Sequence, residues 1–466
     1  MSSCQKDFRI PALVISVALF MQNIDGTIVT IAIPSIARDM GVGAVNLGSV
    51  IIAYLVALTV FTPISGWVAD RFGAKRVFSL AITTFTLASV GCALSQGLPE
   101  LIAFRILQGA GGAMMVPVGR LILFRGIARE DMLAASTWLT MPALIGPILG
   151  PPLGGFLTDQ WSWRGTFWIN LPIGVVGLLF AWIALPETEG ESSERLDVTG
   201  SLLVGSALTL CMIGFELVGR GATDVVMPAV ALVLGASLFW LAYRHCMRTL
   251  NPALDFSLLE IPTFKVSAIA GGCFVAASDA LLFLVPLTLQ VAFGYGVLSS
   301  SMMTFASSIG SFCMRPTAAF ALRRYPARSV LTAASCSFAA VTGLCALMSA
   351  DWPRVAIFFL LLMGGVSRSL SFATTGAIAF ADVPETQLSA ATSFQGTTQK
   401  FMKAFGVALA AATVQIASML HGANHPEHRD IALGFLAATA VVVLTCPMFA
   451  WLSREDGFGI ASPVER

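Results

Sequence analysis

The chain has 466 residues, of which 56% are hydrophobic and 11% are charged, and its formal net charge is +1 at pH 7. Soluble domains carry about 25% charged residues, so this composition excludes a soluble enzyme. The near-neutral charge gives no basic surface for nucleic acid. A membrane-spanning helix needs roughly 20 apolar residues, and such stretches fill nearly the whole chain. We therefore expect an all-α, multi-pass membrane protein.

In chain order, fourteen apolar segments predict membrane-spanning helices. Their limits are 10–34, 46–68, 76–96, 99–122, 132–158, 165–185, 197–218, 225–243, 264–292, 297–322, 329–349, 353–380, 388–419 and 431–452. Without the seventh and eighth segments, the count would be twelve. The first segment contains Asp25 and is too long for the apolar part of a cleavable signal peptide. The nine cysteines are dispersed with no CxxC pair, which predicts neither a disulfide framework nor a metal site.

Positive charge in the joining segments predicts the orientation of the spans. With the N-terminus in the cytoplasm, the inner segments carry 16 Lys and Arg residues and the outer loops carry 5. Cytoplasmic loops are enriched in these residues, so both termini are expected to be cytoplasmic. The polar stretch 186–197 follows the sixth span. It predicts a six-helix bundle over 1–190, a linker helix pair over 191–250 and a second six-helix bundle over 251–466.

The joint after the second span has glycine, acidic and basic residues at a characteristic spacing. Gly66 is expected to allow close helix approach and Gly73 a tight turn, while Asp70 can meet a basic side chain. The defining residues are Gly66, Asp70, Arg71, Gly73, Lys75 and Arg76. They resemble the loop signature of the major facilitator superfamily, which implies a conformational latch on the cytoplasmic side. The alternative is a solvated basic loop. The corresponding joint 323–328 keeps basic residues but lacks the acid and the glycine.

The fourth and fifth spans contain further motifs. An arginine inside a span is costly, so Arg105 is a functional candidate. Its surroundings resemble the superfamily's fourth-helix motif, whose arginine takes part in proton transfer. The fifth span resembles the antiporter motif of efflux members, with Thr137 where a glycine is usual. Small residues and prolines in this motif allow close packing and bends. The matching residues are Gly146, Gly150, Pro151, Gly154 and Gly155.

Two more segments, 25–34 and 161–174, resemble the fourteen-span drug:proton antiporters of the EmrB/QacA type, and 111–121 especially resembles their MdtD branch. The resemblance covers residues 20–175. It implies a major facilitator fold, with two six-helix bundles plus an inserted two-helix linker. It also implies proton-coupled efflux by alternating access, no cofactor other than the coupling proton, and the inner membrane of a bacterium. We expect a monomer that contacts a small-molecule substrate and the lipid bilayer, without nucleic acid.

Two charged residues of the first half are expected to meet inside the membrane. Asp25 and Arg105 lie at depths that agree within roughly 5 Å, at 1.5 Å rise per residue. A carboxylate that is both desolvated and close to a cation can exchange its proton near neutral pH. Our hypothesis is that Asp25 carries the proton and Arg105 tunes it. The alternative is a purely structural ion pair.

The second half contains an excess of basic residues within its spans. Its candidate residues are Asp279, Arg315, Arg368, Gln399, Lys400 and Lys403. Resemblance to the superfamily places their helices around a central cavity. Because unpaired cations in a membrane are expensive, we expect an anionic substrate: a small organic anion or carboxylate, or an amphiphilic drug with an acidic group. Alternatively, some lysines snorkel, deprotonate or line watery access paths. Resemblance to drug pumps alone would instead imply cations.

Other features support weaker alternatives. Glu216 in the seventh span is expected to face a neighbouring helix or the outer rim, and His421, His425 and His428 to lie in a solvated loop. A proton-symporting importer of a small anionic metabolite is the alternative transport function, which the fifth-span motif disfavours. A multi-pass membrane enzyme would need a nucleophile or a His/Asp set at the membrane face, and the few histidines do not supply one.

Overall fold

A computed structural model describes residues 8–124, 132–187, 197–219, 226–249, 252–384, 387–420 and 427–452. Within these ranges the regular structure is helical and contains no strand. The first half comprises α1 (Arg9–Met40), α2 (Gly48–Phe61), α3 (Ser65–Phe72), α4 (Ala74–Leu94), α5 (Leu98–Phe124), α6 (Met132–Gln160), α7 (Gly165–Trp168) and α8 (Asn170–Ala184). The two helices of the predicted linker, the inserted pair, are α9 (Val198–Gly219) and α10 (Val226–Cys246). The second half comprises α11 (Pro262–Leu287), α12 (Val297–Arg324), α13 (Ala327–Ala346), α14 (Arg354–Ala379), α15 (Leu388–Leu420) and α16 (His428–Ala450).

Each of the fourteen predicted segments coincides with a helix or with a broken helix pair, which confirms the all-helical fold class. Among the described residues, twelve helices are long and apolar enough to cross a membrane, or thirteen when α2 and α3 count as one span. The 29-residue α6 also has the length to cross. The count of fourteen is therefore approximate.

The second predicted span is not one continuous helix. A break of three residues separates α2 from α3, and the two helices differ in direction by 58°. Pro63 lies in this break and lacks the N–H that a continuing helix would need, although Thr62 before it keeps helical backbone angles (φ −62°, ψ −45°). The break places the hydroxyl of Thr62 between the two helices.

The helices pack within each half and also across the contact between the halves. Within the first half, α1 packs against α6, and α5 packs against both α2 and α4. Within the second half, α12 packs against α14, α13 against α16, and α11 against α15. Between the halves, α6 packs against α12, α2 against α15, and α1 against α11. The inserted helix α9 packs against α2 and α15, so it lies along one of these contacts between the halves.

Candidate functional site

Asp25 and Arg105 form an ion pair in the core of the first half. Arg105 Nη1 lies 2.6 Å from Asp25 Oδ2. The side chain of Arg105 is 1% exposed and that of Asp25 is 0% exposed. The arginine also donates from Nε to the carbonyl of Val50 at 3.3 Å, and its guanidinium lies 4.2 Å from the centre of the Tyr54 ring. The pairing expected from the matched depths of the two residues is therefore present.

Two amides complete the coordination of the carboxylate. Gln108 Nε2 and Asn170 Nδ2 each donate to Asp25 Oδ1 at 2.9 Å. Both amides also donate to the hydroxyl of Ser89, at 3.2 Å and 2.8 Å respectively. The charge on Asp25 is thus held by three donors from α5 and α8. Sequence reasoning quoted Gln108 and Asn170 within their motifs without assigning them to this site.

Close packing between helices holds this network in place. On α5, a methyl group added to Gly111 would lie 2.8 Å from the backbone nitrogen of Phe85, and one added to Gly109 would lie 2.5 Å from the carbonyl oxygen of Tyr54. The absence of side chains at these glycines therefore lets α5 approach α4 and α2 closely. The approach brings Arg105 and Gln108 within reach of α1, where Asp25 lies.

A second group of charges gathers residues of four helices. Asp279 on α11 interacts electrostatically with Lys403 on α15 and Arg368 on α14. Lys400 on α15 interacts electrostatically with Lys403 and with Arg120 on α5. Sequence reasoning placed Arg120 within a span but did not assign it to this group. By formal charge these five residues comprise four cations and one anion, an excess of three positive charges.

Individual hydrogen bonds position some of these groups. The ammonium of Lys400 donates to the hydroxyl of Thr62, in the break between α2 and α3. Arg368 Nη2 lies 3.4 Å from the hydroxyl of Ser311 on α12. Gln399 is half-buried on α15 beside Lys400. Arg315 is part of α12, and its side chain lies outside the described part of the structure.

The predicted latch residues surround the junction of α3 and α4. Gly73 has φ +90° and ψ +126°, so the expected tight turn is present and favours glycine. Asp70 is half-buried in the last turns of α3, Arg71 and Arg76 are exposed, and Lys75 Nζ lies 3.0 Å from Glu187. A methyl group on Gly66 would meet nothing within 4 Å, so the expectation of close helix approach there is wrong for this structure.

The antiporter motif has two packing faces. A methyl group on Gly146 would lie 3.1 Å from Asn23 Cβ, and Gly150 and Gly154 lie against Thr27 and Ile28. These three glycines therefore face α1. The side of α6 that carries Gly155 instead faces Ser301 of α12. Pro151 lies within α6, between Gly150 and Gly154 in the sequence. The motif thus joins helices within the first half and also touches the second half.

Two minor candidates are placed by the structure. Glu216 is half-buried beside a small cavity that α9 shares with Ser49 of α2 and Ala411 of α15, so it faces neighbouring helices as one alternative expected. His428 begins α16 with its ring 5.3 Å from that of Phe293. His421 and His425 lie outside the described residues.

The family model described as Major Facilitator Superfamily matches residues 15–407. The chain belongs to the major facilitator superfamily. An MdtD protein of Pectobacterium atrosepticum, named for multidrug resistance, is 34% identical over 441 residues, which cover 93% of each chain. An MdtD protein of Serratia proteamaculans is 35% identical over 418 residues, which cover 88% of this chain and 85% of the relative.

Solved structures of superfamily transporters share the fold at low sequence identity. The POT family transporter PepTSo aligns with a TM-score of 0.70 at 13% identity, covering 97% of this chain and 99% of its own. A D-xylose-proton symporter aligns with a TM-score of 0.68 at 12% identity, covering 96% and 98%. The protein is therefore a multi-pass membrane transporter of the major facilitator superfamily, and the membrane-enzyme alternative is set aside.

Proposed function

We propose that this transporter exports small organic anions in exchange for protons across the inner membrane of a bacterium. The observation that carries the proposal is the excess of three positive charges among Arg120, Asp279, Arg368, Lys400 and Lys403. These side chains come from both halves of the fold, where alternating access presents a binding site to each side of the membrane in turn. No metal or other cofactor enters the proposal, and the monomer is the transporting unit.

The charge balance favours an anionic substrate over a lipophilic cation. A cation entering this group would add to an existing positive excess, whereas an anion would reduce it. An excess of positive charge inside a membrane protein is costly to hold, so its neutralisation favours anion entry. The relatives are named for multidrug resistance, which fits an amphiphilic substrate, whereas the acidic group is inferred from the charge balance alone.

Asp25 and Arg105 supply the proton side of the exchange. Protonation of Asp25 removes the negative charge that Arg105, Gln108 and Asn170 now hold, and so weakens the contacts between α1 and α5. The proton favours whichever of the inward-open and outward-open conformations binds it more tightly. The distribution of Lys and Arg supports cytoplasmic termini, with the antiporter motif of α6 ending on the outer side.

The test uses purified protein in detergent and in liposomes. The anionic probe is naphthalene-2-sulfonate, which stays charged at all working pH values, and the cationic probe is tetraphenylphosphonium. We expect the sulfonate, but not the cation, to raise the melting temperature. Stabilisation by the cation together with indifference to sulfonates and carboxylates contradicts the proposed substrate class.

Direction is measured in liposomes that are acidic inside, with the sulfonate outside. An antiporter moves protons out and accumulates the sulfonate, whereas the alternative symporter excludes it, and this difference does not depend on how the protein is inserted. Asp25→Asn is expected to abolish the accumulation while keeping sulfonate binding. Glu260→Gln, which removes an exposed carboxylate beyond the inserted pair, is the matched control. Undiminished accumulation by Asp25→Asn contradicts the role of Asp25.

A further inference from the structure

Pro151 leaves one carbonyl of α6 without its helical hydrogen-bond donor. In an α-helix the N–H of each residue donates to the carbonyl four residues earlier, and proline has no N–H. The carbonyl of Pro147, four residues before Pro151, therefore lacks the donor that a regular α-helix would give it. Pro147 is half-buried near the middle of α6, where an acceptor without a donor is costly. A hydrogen-bond partner outside α6 is thus favoured.

Ser308 of the second half supplies that donor. Its Oγ donates to the carbonyl oxygen of Pro147 at 2.8 Å, and Ser308 is 7% exposed. Two neighbouring hydroxyls behave differently: Ser301 donates to the carbonyl of Leu298 at 2.7 Å, and Thr304 likewise donates within α12. The hydroxyl of Ser308 instead donates across the contact between α12 and α6.

This hydrogen bond belongs to the same contact between the halves as Gly155 and Ser301. Gly155 of α6 faces Ser301 of α12. Ser308 lies about two helical turns further along α12, and Pro147 lies about two turns back along α6. The two helices therefore stay in contact from Gly155 to the middle of α6, and the hydrogen bond marks the deeper end of this contact.

Separation of the halves would affect the two partners differently. Ser308 lies four residues after Thr304, so its hydroxyl can turn to the carbonyl of Thr304, as serine commonly does within helices. The carbonyl of Pro147 has no such replacement, because Pro151 cannot donate, and it is left to water. Loss of a protein partner costs most for the group that finds no other within the protein. The hydrogen bond therefore favours the arrangement in which α6 and α12 stay together.

We propose that Ser308 is a positioning residue for alternating access, and that it holds α12 against α6 through the carbonyl that Pro151 leaves without a donor. The missing N–H makes a backbone acceptor of the first half depend on a side chain of the second half. The bond must break whenever the halves separate at this contact, so its strength sets the fraction of molecules that are open there. The inference rests on the alternating access of the proposed function, but not on its substrate or direction.

The test is the reaction of Ser300→Cys with a membrane-impermeant maleimide, in the full-length protein after replacement of its nine native cysteines. Ser300 is fully buried on α12, so its labelling rate rises with the fraction of molecules that are open at this contact. Ser308→Ala is expected to raise the rate about fivefold, the order of effect of one net hydrogen bond. The control Ser301→Ala loses a buried hydroxyl that donates within α12, and is expected to keep the parental rate. An unchanged rate in Ser308→Ala overturns the inference.

Two proline variants separate this hydrogen bond from loosened packing. Pro151→Ala restores an N–H for the carbonyl of Pro147, so Ser308→Ala is expected to have little further effect on the rate in that background. Pro152→Ala restores an N–H for the carbonyl of Ile148 instead, and Ser308→Ala is expected to keep its fivefold effect there. Such non-additivity is the signature of a direct interaction. A fivefold effect of Ser308→Ala in both backgrounds overturns the inference.

Thermal unfolding in detergent identifies the variants that fold. If Pro151→Ala does not fold, the comparison of Ser308→Ala with Ser301→Ala decides alone, and equal rates overturn the inference. The labelling assay contains no substrate and no proton gradient. If naphthalene-2-sulfonate does not bind while Ser308→Ala labels faster as expected, only the proposed substrate class fails. If the sulfonate is exported while the rate in Ser308→Ala is unchanged, only the role of Ser308 fails.

Discussion

Gly365 on α14 lies directly against the backbone of Ser307 on α12. A methyl group added to Gly365 would lie 2.7 Å from the carbonyl carbon of Ser307 and 2.9 Å from its Cα. Because a backbone atom cannot rotate away as a side chain can, an added methyl group must push the two helices apart. The close packing of α12 and α14 therefore depends on this glycine.

Gly365→Ala is accordingly expected to destabilise the protein by about 1–3 kcal/mol, the usual cost of overpacking. Gly376 on the same helix is the matched control, since a methyl group there would meet nothing within 4 Å. Both variants replace glycine by alanine within α14 and so gain the same helix propensity. The difference between their stabilities therefore isolates the steric effect. Thermal unfolding in detergent measures it. Equal melting temperatures for the two variants contradict the packing argument.

Adjacent glycines of the antiporter motif are expected to have different functions. Gly154 packs within the first half, where a methyl group would lie 2.7 Å from Ile28 Cγ1, whereas Gly155 faces Ser301 across the contact between α6 and α12. Gly155→Ala should therefore hinder closure of the two halves at this end. Gly154→Ala should instead lower stability without favouring the open state.

The measurement is the reaction of Ser300→Cys with a membrane-impermeant maleimide. Ser300 is fully buried on α12 in this closed contact. The labelling rate is expected to rise in the Gly155→Ala background and to stay at the parental value in the Gly154→Ala background. A rise of the same size in both backgrounds shows that loosened packing, rather than opening between the halves, exposes the residue.

Hydropathy was sufficient to predict the helices, because each membrane crossing requires about 20 apolar residues whatever its neighbours are. The Asp25–Arg105 pair was also predictable, since residue counts from the span ends give depth. Depth does not tell which faces of two helices meet, so the contacts of Gln108 and Asn170 with Asp25 required the packed structure. The same applies to Arg120, whose electrostatic interaction with Lys400 depends on how the halves pack.

Asp197 connects the start of α9 with the end of α10. It accepts hydrogen bonds from the backbone nitrogens of Gly200 at 2.8 Å and Ala253 at 3.2 Å, and His245 Nε2 lies 2.8 Å away. Burial opposes ionisation of this carboxyl group, but the hydrogen bonds from Gly200, His245 and Ala253 outweigh burial and lower the pKa of Asp197. The ionised side chain therefore links the start of α9 to the end of α10.

Because the pKa of Asp197 is lowered in the folded protein, the sign of its effect on the pH dependence of stability is determined. The carboxylate contributes stability at pH values above its unfolded-state pKa of about 3.9, and this contribution is lost as the pH falls through the lower folded-state pKa. Asp197→Asn is thus expected to melt below the wild type at pH 6, with the difference shrinking below about pH 4. Glu260→Gln, which removes an exposed carboxylate, should show little difference. A difference for Asp197→Asn that grows toward low pH contradicts this account.

Substitutions of the buried Asp25 and Arg105 can distinguish a proton carrier from a structural ion pair. Arg105→Gln leaves a carboxylate in the core without its cation, which is expected to cost about 3–5 kcal/mol of stability. The double variant Asp25→Asn/Arg105→Gln removes both charges and should recover much of that loss, as unfolding in denaturant would measure.

If the double variant folds and still accumulates the sulfonate in acid-loaded liposomes, the pair is purely structural. If it folds and binds the sulfonate but does not accumulate it, the titratable carboxylate is required for coupling. We expect the second outcome, because the amides that surround Asp25 can hold a neutral side chain in place but cannot supply the lost proton exchange.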